Sequence, residues 1–354
     1  MKTLAFAAYS ATTPLKPFHF ERRQLGEHDV DIEIIYCGIC HSDVHMARNE
    51  WGGATVYPIV PGHEIVGRVK RVGSKVRLFK EGDLAAVGCL VDSCRACPSC
   101  KDHLEQYCEK GRTLTYNSPE PQTGKVTYGG YSTQIIVDEN YVLHVPKKFK
   151  ESQLPGVAPL VCAGITTYSP LRYWKVGKGS VVGIVGLGGL GHMAVKLARA
   201  MGAHVAVFTT SANKTRDALK LGAHEVILST NTDEMQKHQN RFDFILDTVS
   251  SSHEMDDYVL LLKRDATLCL VGVPEDDHPS LTIDHLIFKR KKLAGSLIGG
   301  IRETQEVLDF CAEHNITAEV EVIPMEKINE AYERMLKRDV KYRFVIDIKN
   351  SHFH

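Results

Sequence analysis

Four cysteines stand within fifteen residues, at Cys94, Cys97, Cys100 and Cys108, in the spacing C-x2-C-x2-C-x7-C. A metal shared by all four would close this loop around one point. Thiolates at such steps can converge, and four of them fill the tetrahedral shell of a structural zinc. Disulfides are the alternative in a small secreted chain, but 354 residues need no such staples, and three-residue steps suit a metal better. An iron–sulfur cluster uses similarly close cysteines, and reduced loop thiols are the plainest reading of all. A shell of four thiolates has no open position. A zinc held there would fix a lobe in place, and the chemistry would lie elsewhere.

The length implies two domains. Lys plus Arg equals Asp plus Glu at 43 each, so no basic surface argues for nucleic acid. The N-terminal residues lack the apolar core of a secretory signal, and no stretch approaches the ~18 apolar residues that span a membrane. Ten cysteines in such a chain suit a reducing compartment. The expectation is a soluble, cytoplasmic protein.

Texture divides the chain. Residues 1–150 show short strand-like runs broken by Gly and Pro, at 30–36, 64–72, 83–87 and 134–137, which predicts a mostly β, partly barrel-like lobe. Beyond Gly179, strands alternate with amphipathic helices. Strands are expected at 181–185, 205–208, 225–228, 242–247 and 266–271, and helices at 192–201 and 216–221. Such alternation marks a parallel, doubly wound α/β sheet. The tail, helical at 328–336 and strand-like at 342–348, has no room for another βαβ unit and should return to the first lobe. The expected boundaries are 1–150 completed by 318–354, with 151–317 between.

Gly186-Leu187-Gly188-Gly189-Leu190-Gly191 follows the strand at 181–185 and opens the next helix. Strand, glycines and helix stand in the order that lets a backbone turn tightly against a pyrophosphate at a helix N-terminus. About 20 residues on, NAD sites carry an acid for the ribose hydroxyls. This chain has Thr209, Thr210, Ser211, Lys214 and Arg216, with no acid before Asp217. Hydroxyls and cations there can hold a 2′-phosphate, so NADP is the expected cofactor. A helix N-cap with solvated cations is the other reading of the same residues.

Cys40-His41-Ser42-Asp43-Val44-His45, Gly62-His63-Glu64 and Cys162 complete the chemistry-bearing set. Singly, each is ordinary, and Cys162 alone would be a buried core thiol. Together, Gly38 to Asp43, Pro61 to Gly67, the four-cysteine loop, Cys162 and the glycine turn resemble the zinc-dependent medium-chain alcohol dehydrogenases over essentially the whole chain. Asp92-Ser93-Cys94, Cys162 to Tyr168 and Gly295 to Gly300 resemble the cinnamyl-alcohol-dehydrogenase branch, and within it the bacterial broad-range aldehyde reductases. The tryptophan that plant lignin enzymes carry after the last structural cysteine is missing from Glu109 to Thr113.

The resemblance implies a GroES-like catalytic lobe, a Rossmann lobe, and two zinc ions per chain. Cys40, His63 and Cys162 would hold the catalytic zinc, with Glu64 as an occasional further ligand. Asp43 would orient His63. Ser42 and His45 would relay a proton, an imidazole being suited to that near neutrality. Thr166, Thr248, Val271, Ser296 and Ile298 would line the NADP site beside the glycine turn. The remaining cysteines, Cys37, Cys89, Cys269 and Cys311, read as core thiols. The implied substrate is a primary alcohol or aldehyde, and the implied assembly a homodimer through sheet edges near 295–300. An NAD-dependent polyol or formaldehyde dehydrogenase, or a nucleotide-binding protein without activity, are the alternative readings.

Overall fold

The structure, a computed structural model, describes residues 2–274 and 277–353. The chain divides into two compact units, Met1–Cys162 with Gly299–His354, and Ala163–Ile298. This differs from the expected boundaries: residues 151–162 and 299–317 belong to the first unit. Helix Ile301–Glu313 is the reason for the second shift. The Ile301 N–H donates to Glu105 Oε2 at 3.0 Å, and the Gln305 side chain bonds both backbone groups of His144, at 2.8 and 3.0 Å. An amphipathic helix after a strand reads locally as one more crossover, and only its distant partners assign it.

The first unit is organised on strand Asp29–Gly38, whose Val30, Ile32 and Ile34 are buried. β-Branched side chains suit a pleated, packed surface. The strand pairs antiparallel with Ile65–Val72, Gln134–Asp138 and Arg343–Asp347. Leu84–Val87 and Leu143–His144 extend the sheet on one side. On the other, Arg343–Asp347 pairs in parallel with Val320–Pro324, so the C-terminal tail completes this unit.

The second unit is a six-stranded parallel sheet in the order Glu225–Leu228, His204–Thr209, Val181–Val185, Phe242–Asp247, Leu262–Leu270, Lys292–Gly295. In strand sequence this is 3-2-1-4-5-6, the Rossmann arrangement, which reverses between strands 1 and 4. Val181–Val185 buries four of its five residues, as a strand covered on both faces requires. Val185, Phe208, Phe242, Ile245 and Leu268 belong to one buried cluster on this sheet. The expected strands at 225–228 and 242–247 have those bounds, and the helix expected at 192–201 is Gly191–Ala200. No helix among the described residues is long and apolar enough to cross a membrane.

Candidate active site

Strand Asp29–Gly38 delivers the chain to the first cluster, and its last residue must be glycine, because an added Cβ would collide with the Glu64 carboxylate. Cys40, extended at φ −111° and ψ 154°, opens helix His41–Ala47. Asp43 turns its carboxylate back from the first turn. Its Oδ2 accepts from the Cys40 N–H at 2.9 Å and the Tyr131 hydroxyl at 3.1 Å. Its Oδ1 accepts from the Gly62 N–H at 3.0 Å and from His63 Nδ1 at 3.1 Å. Gly62 holds φ 102°, where a Cβ would also meet the backbone nitrogens of Gly130 and Tyr131 at 2.8 Å.

A carboxylate only accepts, so His63 carries its proton on Nδ1 and offers the Nε2 lone pair. That Nε2 lies 3.2 Å from Cys162 Sγ, which is 3.9 Å from Cys40 Sγ. Together with Glu64, these ligand atoms all lie within 4.8 Å of one another. Zinc–sulfur bonds of ~2.3 Å give a tetrahedral edge of about 3.8 Å, so the sulfur separation fits. Glu64 is fully buried and ion-paired with Arg343, yet its Oε2 has no hydrogen-bond partner. An orphaned carboxylate oxygen beside two thiols and an imidazole is the arrangement that a cation satisfies.

Proton distribution points the same way. The hydrogen bond with Cys162 holds the Cys40 thiol well below the usual range, while bonds with Cys40 and Cys89 push Cys162 well above it. Burial would lower the His63 pKa, but Asp43, Cys89 and Cys40 together outweigh it and the imidazole stands well above its usual value. Burial raises Glu64 against the opposing pull of Arg343. Bringing a doubly charged cation to these groups displaces their protons.

The four-cysteine loop forms the second cluster. Cys97, Cys100 and Cys108 are buried, and Cys94 is partly so. Cys94 Sγ lies 3.9 Å from Cys100 Sγ, and the Cys97 N–H points at Cys94 Sγ from 3.3 Å. N–H groups of Ala96 and Cys97 bring the Cys94 thiol down to about 6, whereas burial takes Cys100 up to about 12. Four soft donors in one shell fit zinc.

In the second unit, the glycine turn leaves the sheet at the point where the strand order reverses. Gly186 has φ 88°, and a Cβ on Gly191 would strike the Gly186 carbonyl. Before Gly188 there is open space, where a phosphate can approach the backbone. Val185 pairs with Phe208, so Gly186 and Thr209 leave adjacent strands at one level. Lys214 Nζ donates to the Leu187 carbonyl at 3.2 Å, which holds a cation beside the turn. The Ser211 N–H donates to Thr209 Oγ1 at 3.2 Å. Arg216 and Thr210 are exposed, while Thr209 and Leu187 are buried and Gly189 and Leu190 are half-buried. This cradle fits a dinucleotide with a 2′-phosphate.

Other expected residues hold varied positions. Ser42 Oγ accepts from Cys40 Sγ at 3.6 Å. His45 is buried, with Nδ1 at 2.6 Å from Glu50 Oε2 and its ring stacked on Trp51. Thr166 is buried in helix Ala163–Tyr173. The Thr248 hydroxyl donates to the Val185 carbonyl at 2.8 Å. The N–H groups of Val271 and Ser296 donate to Asp247 and Leu270, and Ile298 holds φ 38°, a strained position for a β-branched residue.

Arg343, Tyr131, Tyr116 and Cys89 were not singled out by the sequence as site residues. Arg343 lies 279 residues from Glu64, the Tyr116 ring lies tilted beside His63 with ring centroids 5.8 Å apart, and the half-buried Cys89 thiol reaches Cys162. No local signal marks any of them. Because Arg343 neutralises a fully buried carboxylate, Arg343→Ala is expected to destabilise the first unit by about 3–5 kcal/mol, with much of the loss recovered by adding Glu64→Gln. Urea unfolding of the single and double variants measures this; a single variant as stable as the parent would reject the assignment.

The family model described as Zinc-binding dehydrogenase matches residues 189–313, and that described as Alcohol dehydrogenase GroES-like domain matches residues 26–147. The chain is 59% identical over 347 residues to aldehyde reductase YahK of Escherichia coli, covering 98% of each. It superposes on a cinnamyl alcohol dehydrogenase of Sorghum bicolor with a TM-score of 0.95 at 42% identity, covering 100% of this chain and 99% of that one. The cinnamyl alcohol dehydrogenase of Helicobacter pylori, solved with NADP(H), gives 0.91 at 44% identity with 99% of each chain covered. With its paired metal-ligand clusters and its glycine turn, this chain belongs to the zinc-dependent medium-chain alcohol dehydrogenases, in their cinnamyl-alcohol-dehydrogenase-like branch.

Proposed function

We propose that this chain interconverts aldehydes and primary alcohols with NADP(H), using two zinc ions per chain. The observation that carries the reading is the buried thiol–imidazole–thiol set of Cys40, His63 and Cys162 beside the unsatisfied Glu64 oxygen. Three ligands leave a fourth position for substrate. A zinc ion bound there would supply Lewis acidity at the carbonyl oxygen, and the nicotinamide would supply the hydride. Asp43 fixes the His63 tautomer so that Nε2 faces the metal position. Reduction also consumes a proton at the substrate oxygen. Ser42, against Cys40, is the inner hydroxyl for that transfer, and His45, paired with Glu50, the outer group. Cys94, Cys97, Cys100 and Cys108 hold the second zinc and stabilise their loop.

Metal analysis separates the two roles. Cys162→Ser is expected to remain folded with about one zinc, at least a hundredfold less active, whereas Cys97→Ser loses thermal stability, since structural zinc contributes folding energy. His45→Gln keeps both metals and slows turnover. Full activity in Cys162→Ser would sink the catalytic assignment.

Cofactor choice follows from charge. The 2′-phosphate meets hydroxyls at Thr209, Thr210 and Ser211 and the cations Lys214 and Arg216, with no acid at the strand end. Two charge-assisted hydrogen bonds at about 1.5–3 kcal/mol each amount to a preference of a hundredfold or more for NADPH. Thr210→Asp should lower that preference by repelling the phosphate and accepting from ribose hydroxyls. Steady-state kinetics on aromatic and aliphatic aldehydes with NADPH and NADH decide it; equal efficiency in the unmodified chain would refute the phosphate reading.

The proposed assembly is a homodimer. Strand Lys292–Gly295 pairs only with Leu262–Leu270 among the described residues, and Ile283, Ile287, Phe288 and Leu293 are exposed near it in sequence. An open edge with apolar side chains calls for cover. Light scattering should give twice the chain mass, and a monomer at micromolar concentration would reject this.

A further inference from the structure

The loop after Phe242–Asp247 walls the dinucleotide turn and is closed by a histidine that none of the roles above uses. It begins at the topological switch point, where strands 1 and 4 lie side by side and their following loops frame a ligand crevice. The Thr248 N–H and hydroxyl both donate to the Val185 carbonyl, at 3.1 and 2.8 Å. Val249 Cγ2 lies 2.9 Å from where a Cβ on Gly186 would stand, so Val249 sets the room at the entrance to the glycine turn. Gly272, on the loop after the neighbouring strand, is glycine because a Cβ would strike the Val249 carbonyl.

His253 ties this loop back to the end of its own strand. Its Nε2 lies 2.8 Å from Asp247 Oδ2, and its Nδ1 lies 2.8 Å from the Ser251 carbonyl. The other Asp247 oxygen accepts from the Val249 N–H at 3.0 Å. Both ring nitrogens of His253 face groups that can only accept. A neutral imidazole has one N–H and satisfies one of them; the imidazolium satisfies both. Asp247 is almost fully buried, so its charge needs that partner.

We propose that the His253 imidazolium is a positioning residue for the cofactor: it holds residues 247–253 as a closed loop against the glycine turn, and dinucleotide binding weakens when the bridge loses its proton. This deepens the NADP reading and rests on it.

The groups facing the ring agree with a cationic state. Asp247 stands at the strand end, and Asp257 acts on it through space from helix Asp256–Val259. The Tyr258 ring meets it edge-on at 5.7 Å. His278, 4.8 Å away, directs Nδ1 at the His253 backbone rather than at its imidazole nitrogens. The hydrogen bond to Asp247, stronger than the opposing burial, raises the His253 pKa above its usual value. For a raised histidine, the bridge is complete below the unfolded pKa of about 6.5 and is lost as pH rises through the higher folded value. Its contribution to binding therefore falls on the neutral to alkaline side.

The test measures NADPH dissociation constants by nucleotide fluorescence, from about pH 6 to about pH 9, in the zinc-loaded protein and in His253→Gln and Asp247→Asn. Loss of a charge-assisted contact should weaken NADPH about tenfold in His253→Gln at the acid end, and the ratio to the unmodified protein should approach one at the alkaline end. Titration of the nucleotide's own phosphate is common to both proteins and cancels in that ratio. Asp247→Asn should move the break to lower pH, which a purely structural role would not do. A ratio of one throughout, or a constant ratio at all pH, overturns the inference. If both variants fail to fold, an NADPH affinity that does not fall with rising pH in the unmodified protein overturns it as well. If the unmodified protein does not bind NADPH at all, the dinucleotide reading falls and this inference with it.

Discussion

The Asp43 carboxylate is the interaction on which the cluster of Cys40, His63 and Cys162 depends. It is fully buried and accepts from four donors that belong to three separate segments: Cys40 at the helix start, Gly62 and His63 on the next loop, and Tyr131 beyond. A buried charge is tolerated only when its lone pairs are satisfied, so these segments hold one another in place. The fourth donor has its own support. Arg22 donates to the carbonyls of Tyr128, Gly129 and Gln134 and to the Ser132 hydroxyl, which fixes the turn carrying Tyr131. Burial draws the Arg22 pKa down to about 9, still leaving a cation at neutral pH. The orientation of His63 thus traces back to Arg22, directly after strand Lys16–Glu21 and well before His63 in sequence.

What was legible in the sequence was short-range or strongly patterned. The glycine turn works through six consecutive residues, so strand, turn and helix could be read together. Strands at 225–228 and 242–247 could be placed because apolar runs bounded by turns have few other readings. The Glu64–Arg343 pair could not, since nothing near either residue signals a partner 279 positions away. Helix Ile301–Glu313 was not among the expected elements, and its partners, Glu105 and His144, lie far from it in sequence. Cys89 read as a core thiol because thiols are mostly buried; its half-buried place beside Cys162 depends on packing alone.

The second unit resolves a different electrostatic problem. A dinucleotide brings phosphate charge to the carboxyl ends of parallel strands, and in the proposed site it would meet N–H groups at the opening of helix Gly191–Ala200 and a lysine held by the Leu187 carbonyl. The acid it does carry nearby, Asp247, ends the strand adjoining that turn, and His253 covers it. An uncovered carboxylate at a switch point would act against the ligand's charge; bridging it to an imidazolium leaves a neutral pair. Loop closure and charge balance are there achieved by one side chain.

The two proposed metal clusters differ in how far apart their ligands lie along the chain, and this difference fits their roles. Cys94 to Cys108 form one short loop, whose closure carries a modest entropic cost that a single metal ion can offset. Such a site can assemble late and come apart locally. Cys40, His63 and Cys162 come together only when the sheet of the first unit has formed, because strand Asp29–Gly38 delivers the first, the Gly62 turn the second, and the end of the 3-10 turn Ala158–Val161 the third. Their convergence is already secured by the fold, through Asp43 and the Glu64–Arg343 pair. The binding energy of an ion there is consequently not needed to order the chain. A closed shell of four local thiolates suits the task of ordering, and an open shell of three distant ligands suits the task of chemistry.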